Sequence, residues 1–368
     1  MLAELMQADL SAAHILPLLT QLRKSYPPEI AAAALETARL RQKATAKFSR
    51  AADMFFTSEA LQQASHEIIA RHHAQKLACF DRVADLGCGI GGDMLAQTTH
   101  VTGIDLDSTR LHMARHNANV YGVKADFVQA DLAQPLPFNN IPAAFFDPAR
   151  RDERKRLFSV RDYRPPLDII QTWCFDALLV KVSPGVQIAE IAYLGAGIEF
   201  ISHDGELKEA LLHFGQLQFS GRQATILPEG ETLVPLGYEP PSLTDAPRRY
   251  LYEPDPAVIR AGLFSEMLAH LSLNAYRLDE DIAYLTGDEW IESGWLRAWR
   301  IDDWMPFHLK ELRKVLRGKN IGQITVKKRG SPISPEQLQH LLHLKGNQHA
   351  TVILTQLHGQ PIVLLSYG

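Results

Sequence analysis

Cysteine is scarce in this chain: Cys79, Cys88 and Cys174 are the only three in 368 residues, and no two stand in a C-x-x-C pair. That excludes a disulfide framework and a zinc site of the usual spacing, and it suits a reducing compartment. Positive charge is not in excess either. Lys and Arg number 38 against 42 Asp and Glu, a formal net charge of −4, so phosphate binding has to come from a local patch. The N-terminus lacks early basic residues: the first is Arg23, and Glu4 and Asp9 come before it. A signal peptide is not expected, and the first apolar stretch is too short to cross a membrane. These absences predict a cytoplasmic protein with no membrane partner. The metalloprotease pattern H-E-x-x-H is also missing, because Ala70 stands where its second histidine belongs. His66, His72 and His73 are therefore expected on an exposed helix face, as are His340 and His343, and no metal is expected.

Apolar residues are 46% and charged residues 22% of the chain, which suits full hydrophobic cores. Residues 1–78 read as a helical region, broken at Pro27-Pro28, with Thr57 or Ser58 capping the helix of "SEALQQASHEIIARHH". From Val83 short apolar runs ("RVADLG", "VTGIDL", "ADFVQAD", "AAFFDP", "ALLVKVSP") alternate with helical stretches. Such alternation predicts an α/β domain over 79–227 with a mostly parallel sheet. The Pro- and Gly-rich 228–248 reads as a linker, and 249–368 as a small second α/β domain. Trp290, Trp295, Trp299 and Trp304 fall in that last segment and read as its packing.

The stretch "VADLGCGIGGDMLA" follows a strand and opens a helix. Gly87, Gly89 and Gly91 allow a tight turn and a close backbone approach to a ligand. Asp85, two residues before, separates two readings. A pyrophosphate would be repelled by it, whereas the sulfonium and ammonium of S-adenosylmethionine would be attracted. Asp105 ends the next strand, where it can accept both ribose hydroxyls. Asp131 ends the third, where it can take the adenine amine; Leu106 and Leu132 follow these acids. Asp93 and Asp107 read as helix caps and Cys88 as packing. Three acids on three successive strand ends resemble the class I S-adenosylmethionine-dependent methyltransferases, over residues 80–227. The resemblance implies a Rossmann-like seven-stranded sheet and S-adenosylmethionine as cofactor.

"FFDPARR" ends the fourth apolar run. In that architecture the fourth strand ends beside the transferred methyl, so Asp147 falls at the acceptor. Asp147, Pro148 and Arg150 are the candidate catalytic residues, with Phe145, Phe146, Tyr163 or the N-terminal region to stack on a base. C5-pyrimidine enzymes need a cysteine after the fifth strand. Ser183-Pro184 stand there instead, and Cys174 lies before the strand. A nitrogen acceptor needs only alignment and a carboxylate.

"AKFSRAADMFFTSEAL", with "GCGIGG" and "HNANVYGV", resembles the trimethylguanosine synthase group, which implies that Phe56 and Thr57 line the cofactor pocket. That group's Ser-Pro-Pro-Trp is Asp-Pro-Ala-Arg here, so a cap-guanosine substrate does not carry over. "EFISHDGELKEALLHFG", "RYLYEPDPAVIRAGL", "AYLT" and "VKKRG" resemble bacterial class I methyltransferases with a C-terminal THUMP-like domain, over 40–368. This implies a ferredoxin-like, RNA-binding C-terminal domain and an enzyme that modifies RNA, without naming the nucleotide. The favoured reading is methylation of a nitrogen of a structured RNA, tRNA or rRNA, with the exocyclic amine of guanine as favoured acceptor. A small-molecule methyltransferase, or an RNA-binding protein without turnover, remain alternatives.

Between Phe307 and Arg329 stand eight basic residues and one acid, Glu311. Lys310, Arg313, Lys314, Arg317, Lys327, Lys328 and Arg329 are the candidate RNA-binding residues. Arg150, Arg151, Arg154, Lys155 and Arg156 form a second basic cluster.

Overall fold

The computed structural model describes residues 1–149 and 159–367, and of 151–152 and 155–156 the backbone alone. Arg150 and Arg154 lie outside the described residues, as do the side chains of Arg151, Lys155 and Arg156. The chain divides into two compact units, Met1–Glu199 with Glu209–Ser220, and Phe200–Lys208 with Gly221–Gly368.

The first unit begins with helices α1 (Leu2–Gln7), α2 (Ala12–Leu22) and α3 (Pro28–Ala44). The break falls at the proline pair, and Pro28 opens α3 where its missing N–H is not needed. The next helical stretch, expected as one, is two: α4 (Ser58–Gln63) and α5 (Glu67–Leu77). Thr57 caps α4, accepting from the Ala60 amide at 3.1 Å.

The strands β1 (Arg82–Leu86), β2 (His100–Asp105), β3 (Ala125–Gln129), β4 (Ala143–Phe146), β5 (Arg151–Asp152), β6 (Lys155–Arg156), β7 (Ala177–Val182), β8 (Gly197–His203) and β9 (Glu206–Gly215) follow. Helix α6 (Ser108–Tyr121) crosses from β2 to β3, and α7 (Ile188–Ile191) precedes β8. The sheet contains the run β3-β2-β1-β4-β7-β9-β8, parallel through β7, with β9 antiparallel to it. This is the class I arrangement expected. Strands β4 and β7 are buried at every position, which explains why they read as continuous apolar runs rather than alternating ones. Asp107 caps α6 by accepting from the amides of Thr109 and Arg110, and Gly122 ends it at φ 73°, as a left-handed terminus requires.

In the second unit β10 (Arg222–Leu227), expected in the domain over 79–227, pairs with β11 (Glu231–Leu233), inside the stretch expected as a linker. Beyond it come β12 (Tyr250–Pro254), α8 (Pro256–Ala261), α9 (Phe264–His270), β13 (Ala275–Arg277), β14 (Leu285–Gly287) and β15 (Leu296–Arg300). These strands form one sheet in the order β13-β14-β12-β15. A second sheet, β16-β19-β18-β17, follows from β16 (Asp303–Pro306), α10 (Leu309–Gly318), β17 (Ile321–Lys328), α11 (Pro335–Leu342), β18 (Gln348–Leu357) and β19 (Gln360–Tyr367). Where one small domain is expected, there are two sheets. The chain order of the second is strand–helix–strand–helix–strand–strand, which differs from the β-α-β-β-α-β order of a ferredoxin-like domain. Its central strands β18 and β19 are apolar on both faces. Val352 and Leu354 pack with Leu312, Leu316 and Leu338 of the helices, while Ile353 and Leu357 pack with Leu251 and Tyr284.

Candidate active site

Three glycines shape the turn after β1. Gly87, Gly89 and Gly91 all have positive φ, at 79°, 54° and 87°, a region that side chains disfavour. A Cβ on Gly87 would stand 3.1 Å from the Asp147 carbonyl, whereas one on Gly89 would meet nothing within 4 Å. The first glycine thus packs the loop on the end of β4, and the second faces open space. Gly92 packs differently: a Cβ there would stand 3.3 Å from Ala64, at the break between α4 and α5.

Asp105 fixes this loop. Its Oδ2 accepts the Gly89 amide at 2.8 Å and its Oδ1 the Asp107 amide at 2.9 Å. Asp85 is buried, and its Oδ2 has no partner among the described residues. Burial pushes its carboxyl well above the usual range, and Asp93, Asp147 and Asp105 add to the effect; Lys181 opposes it. An orphaned buried carboxylate oxygen beside an open glycine turn suits a ligand with a cationic group. Asp131 lies two residues past β3 and is exposed, its Oδ1 accepting the Ala133 amide at 2.9 Å. Leu106 is exposed and Leu132 buried.

The segment before α4 is clamped to the same loop by Asn117, a fully buried residue of α6 that sequence reading passed over. Its Oδ1 accepts the Phe55 amide at 2.8 Å, and its Nδ2 donates to the carbonyls of Phe55 (3.1 Å) and Ile90 (3.0 Å). Phe56 is buried beside Phe48. The Cys88 thiol is buried, and burial pushes it well up, as suits packing.

Asp147 follows β4, its amide donating to the Leu86 carbonyl at 3.2 Å. Its Oδ2 accepts from Lys181 Nζ at 2.6 Å; the Asp147 side chain is 22% exposed and that of Lys181 4%. Lys181 also donates to Ser65 Oγ at 2.8 Å, and Ser65 donates to Asp93 Oδ2 at 3.1 Å. His73 joins Asp93 (3.0 Å) to Glu209 (2.5 Å). Burial would lower His73, but Glu209 and Asp93 outweigh it and push the imidazole up to about 10. Asp93 is likewise held below the usual range against its burial, by Lys181, His73 and Ser65. Beside this chain, Glu199 takes His72 (2.8 Å), His213 (2.8 Å) and Lys76 (3.1 Å).

Three expectations change here. His72 and His73 are buried, not exposed: α5 lies with Glu67, His72 and His73 inward, and the His73 ring stacks on Phe145 at 4.7 Å. Asp93 is no cap; it makes no side-chain capping bond and serves the buried network instead. Phe145, Phe146 and Tyr163 are buried to 2% exposure or less, so none offers a face to a base. Tyr163 instead accepts the Ser183 amide through its hydroxyl at 3.1 Å. Pro148 is buried.

In the second unit the basic residues divide. Lys310, Lys314, Arg317 and Lys328 are exposed. Arg313 is half-buried and donates to the Leu341 carbonyl at 2.6 Å. Lys327 lies 4.5 Å over the Trp299 ring, and Arg329 pairs with Glu253 at 2.9 Å beside Tyr284. Of the four tryptophans expected as packing, Trp295 is buried and donates to Glu231, but Trp290 is 52% and Trp304 36% exposed.

Comparison with known proteins decides the family. A "Methyltransferase domain" pattern matches residues 83–147, and a curated "Uncharacterized S-adenosylmethionine-dependent methyltransferase" of Mycobacterium tuberculosis (strain H37Rv) is 34% identical over 339 residues, 88% of this chain and 92% of its own. This chain belongs to the S-adenosylmethionine-dependent methyltransferases. The same identity and coverage hold for the protein of strain CDC 1551. This methyltransferase also matches a "THUMP domain-like" pattern over 296–366 and a domain of unknown function over 1–44. The crystal structure of a putative methyltransferase from Porphyromonas gingivalis W83 shares its fold, with a TM-score of 0.74 at 21% identity, covering 93% of this chain and 92% of that one. Its cofactor is S-adenosylmethionine. Among the described residues no cluster of His, Cys, Asp and Glu could hold a metal, and no helix is long and apolar enough to cross a membrane.

Proposed function

We propose that this methyltransferase modifies a nitrogen of a structured RNA, tRNA or rRNA, with the exocyclic amine of guanine as the favoured acceptor. One observation carries the reading: the partly exposed carboxylate of Asp147, whose own carbonyl packs on the glycine turn. Bound S-adenosylmethionine supplies an electrophilic methyl group on a sulfonium. Asp85 would face the cationic end, the open Gly89 would admit the ligand, and Asp105 would hold the ribose hydroxyls. Asp131 and Leu132 would meet the adenine edge, with Leu106, Phe56 and Thr57 around it. Asp147 would accept a hydrogen bond from the acceptor amine, align its lone pair and take the proton that the methylated nitrogen sheds.

No cysteine is placed for the carbon route. Cys88 is buried, and β7 is followed by Ser183-Pro184. The THUMP domain-like match and the exposed Lys310, Lys314, Arg317 and Lys328 support RNA as the partner. Free thiols at Cys79 and Cys174, both exposed, suit the cytoplasm. The test is incubation with labelled S-adenosylmethionine and unmodified tRNA and rRNA fractions, then nucleoside analysis. Label on an N-methylated base is expected. Label on a small molecule alone would move the substrate off RNA.

A further inference from the structure

Strand β7 is buried along its length, yet it carries a charge at Lys181. A lysine there is tolerated only if it is paired, and its Nζ donates to Asp147 Oδ2 and Ser65 Oγ. We infer that Lys181 is a positioning residue for methyl transfer, setting the Asp147 carboxylate toward the acceptor, and that the helix break at Ser65 serves to hold Lys181 in place. The inference rests on the assignment of the acceptor site to Asp147.

Donors and acceptors along the network match, with Asp93 accepting from both sides. Ser65 gives its proton to Asp93, which leaves an oxygen lone pair for Lys181. His73 gives one N–H to Asp93 and the other to Glu209. Asp93 is thus anchored from both sides, the Ser65 hydroxyl cannot turn, and the lysine cannot swing away. The helix break that makes this possible begins one residue before Ser65, at Ala64, which leaves the helix at ψ 138° and packs on Gly92. A continuous helix through Ser65 would carry its hydroxyl elsewhere. Because Asp147 is partly exposed and Lys181 enclosed, an acceptor meets the carboxylate and not the ammonium. With Oδ2 held, Oδ1, which has no hydrogen-bond partner among the described residues, would take the acceptor N–H.

The test uses the full chain with Lys181→Met, Lys181→Arg and Ser65→Ala. In Lys181→Met, single-turnover methylation of RNA is expected to fall by about 100-fold or more. Affinity for S-adenosylmethionine should fall far less than the rate, by about tenfold at most through loss of the Lys181 charge that favours ionised Asp85, which separates orientation from cofactor binding. Lys181→Arg should restore part of the rate. Crystal structures should show Asp147 out of its present rotamer in Lys181→Met and in it in Lys181→Arg. Wild-type rate in Lys181→Met, an unmoved Asp147, or a loss of cofactor affinity as large as the loss of rate would each overturn the inference. Should Lys181→Met not fold, Ser65→Ala carries the test: about a tenfold loss of rate supports it, and an unchanged rate overturns it. If the wild-type enzyme methylates no RNA, the RNA reading fails by itself, and the Asp147 rotamer alone decides the role of Lys181.

Discussion

In the methyltransferase unit Lys181, Asp93, His73 and Glu209 are buried and joined through Ser65 by hydrogen bonds, and Glu199 is buried against His72 and His213; in the C-terminal unit Lys310, Lys314, Arg317 and Lys328 stand exposed. Buried charge is costly unless paired, so each such group constrains its neighbours strongly. Exposed charge constrains little locally, but it attracts polyanions over a distance that salt controls. The first arrangement suits chemistry and the second suits capture. Arg329, Arg313 and Arg317 break the simple division, because they sit in the second unit yet are committed to Glu253 and to the Leu341 and His343 carbonyls, Arg317 while still exposed.

The sharpest way to break the comparison is at Asp105. Asp105→Ala removes the acceptor of two loop amides and of the proposed ribose hydroxyls. Hydrogen bonds to a carboxylate are worth about 1.5–3 kcal/mol each, so S-adenosylmethionine should bind more than about tenfold weaker by calorimetry. Unchanged affinity would remove the ribose assignment.

A smaller effect is expected with pH. Asp85 is held well above its ordinary value, chiefly by burial. An acid raised by folding stabilises the folded state at low pH, and that contribution is lost as pH rises through the raised value. The ionised form is also the one that attracts the cofactor. Affinity should therefore rise with pH, and the melting-temperature gain from S-adenosylmethionine should widen with it. Asp85→Asn should flatten both trends; a variant that keeps the wild-type slope would exclude Asp85.

The mildest effect belongs to the exposed basic face. Replacing Lys310, Lys314, Arg317 and Lys328 with alanine should lower the log–log salt slope of RNA binding by about 0.7–0.9 per lost phosphate contact, with no change in fold. Arg329→Ala should act otherwise, lowering the melting temperature through Glu253 and Tyr284. An unchanged slope in the fourfold variant would move RNA contact away from this face.

The glycine turn and the strand-end acids were legible because local rules fix them. Glycine is favoured at the positive φ of Gly87, Gly89 and Gly91, and strand–helix alternation locates their surroundings. The supporting network was not legible, because Ser65 and Lys181 lie 116 residues apart and meet only in the folded sheet. One signal was present. A lysine inside the apolar run "LLVKVSP" needs a partner, and the nearest strand end offers Asp147. Adjacent histidines gave no such clue: His72 and His73 both turn inward to acids on distant strands, whereas His340 and His343 remain exposed as expected. The two C-terminal sheets were hidden because β13 and β14 are three residues each, too short for alternation to show.

The most direct measurement compares wild type with Asp147→Ala, using labelled S-adenosylmethionine, an RNA fraction that the wild type modifies, and mass spectrometry of the digested nucleosides. The account predicts an N-methylated nucleoside from the wild type and none from Asp147→Ala, with cofactor affinity the same in both. The same N-methylated nucleoside from Asp147→Ala at the wild-type rate, or a methyl found on carbon, would contradict it.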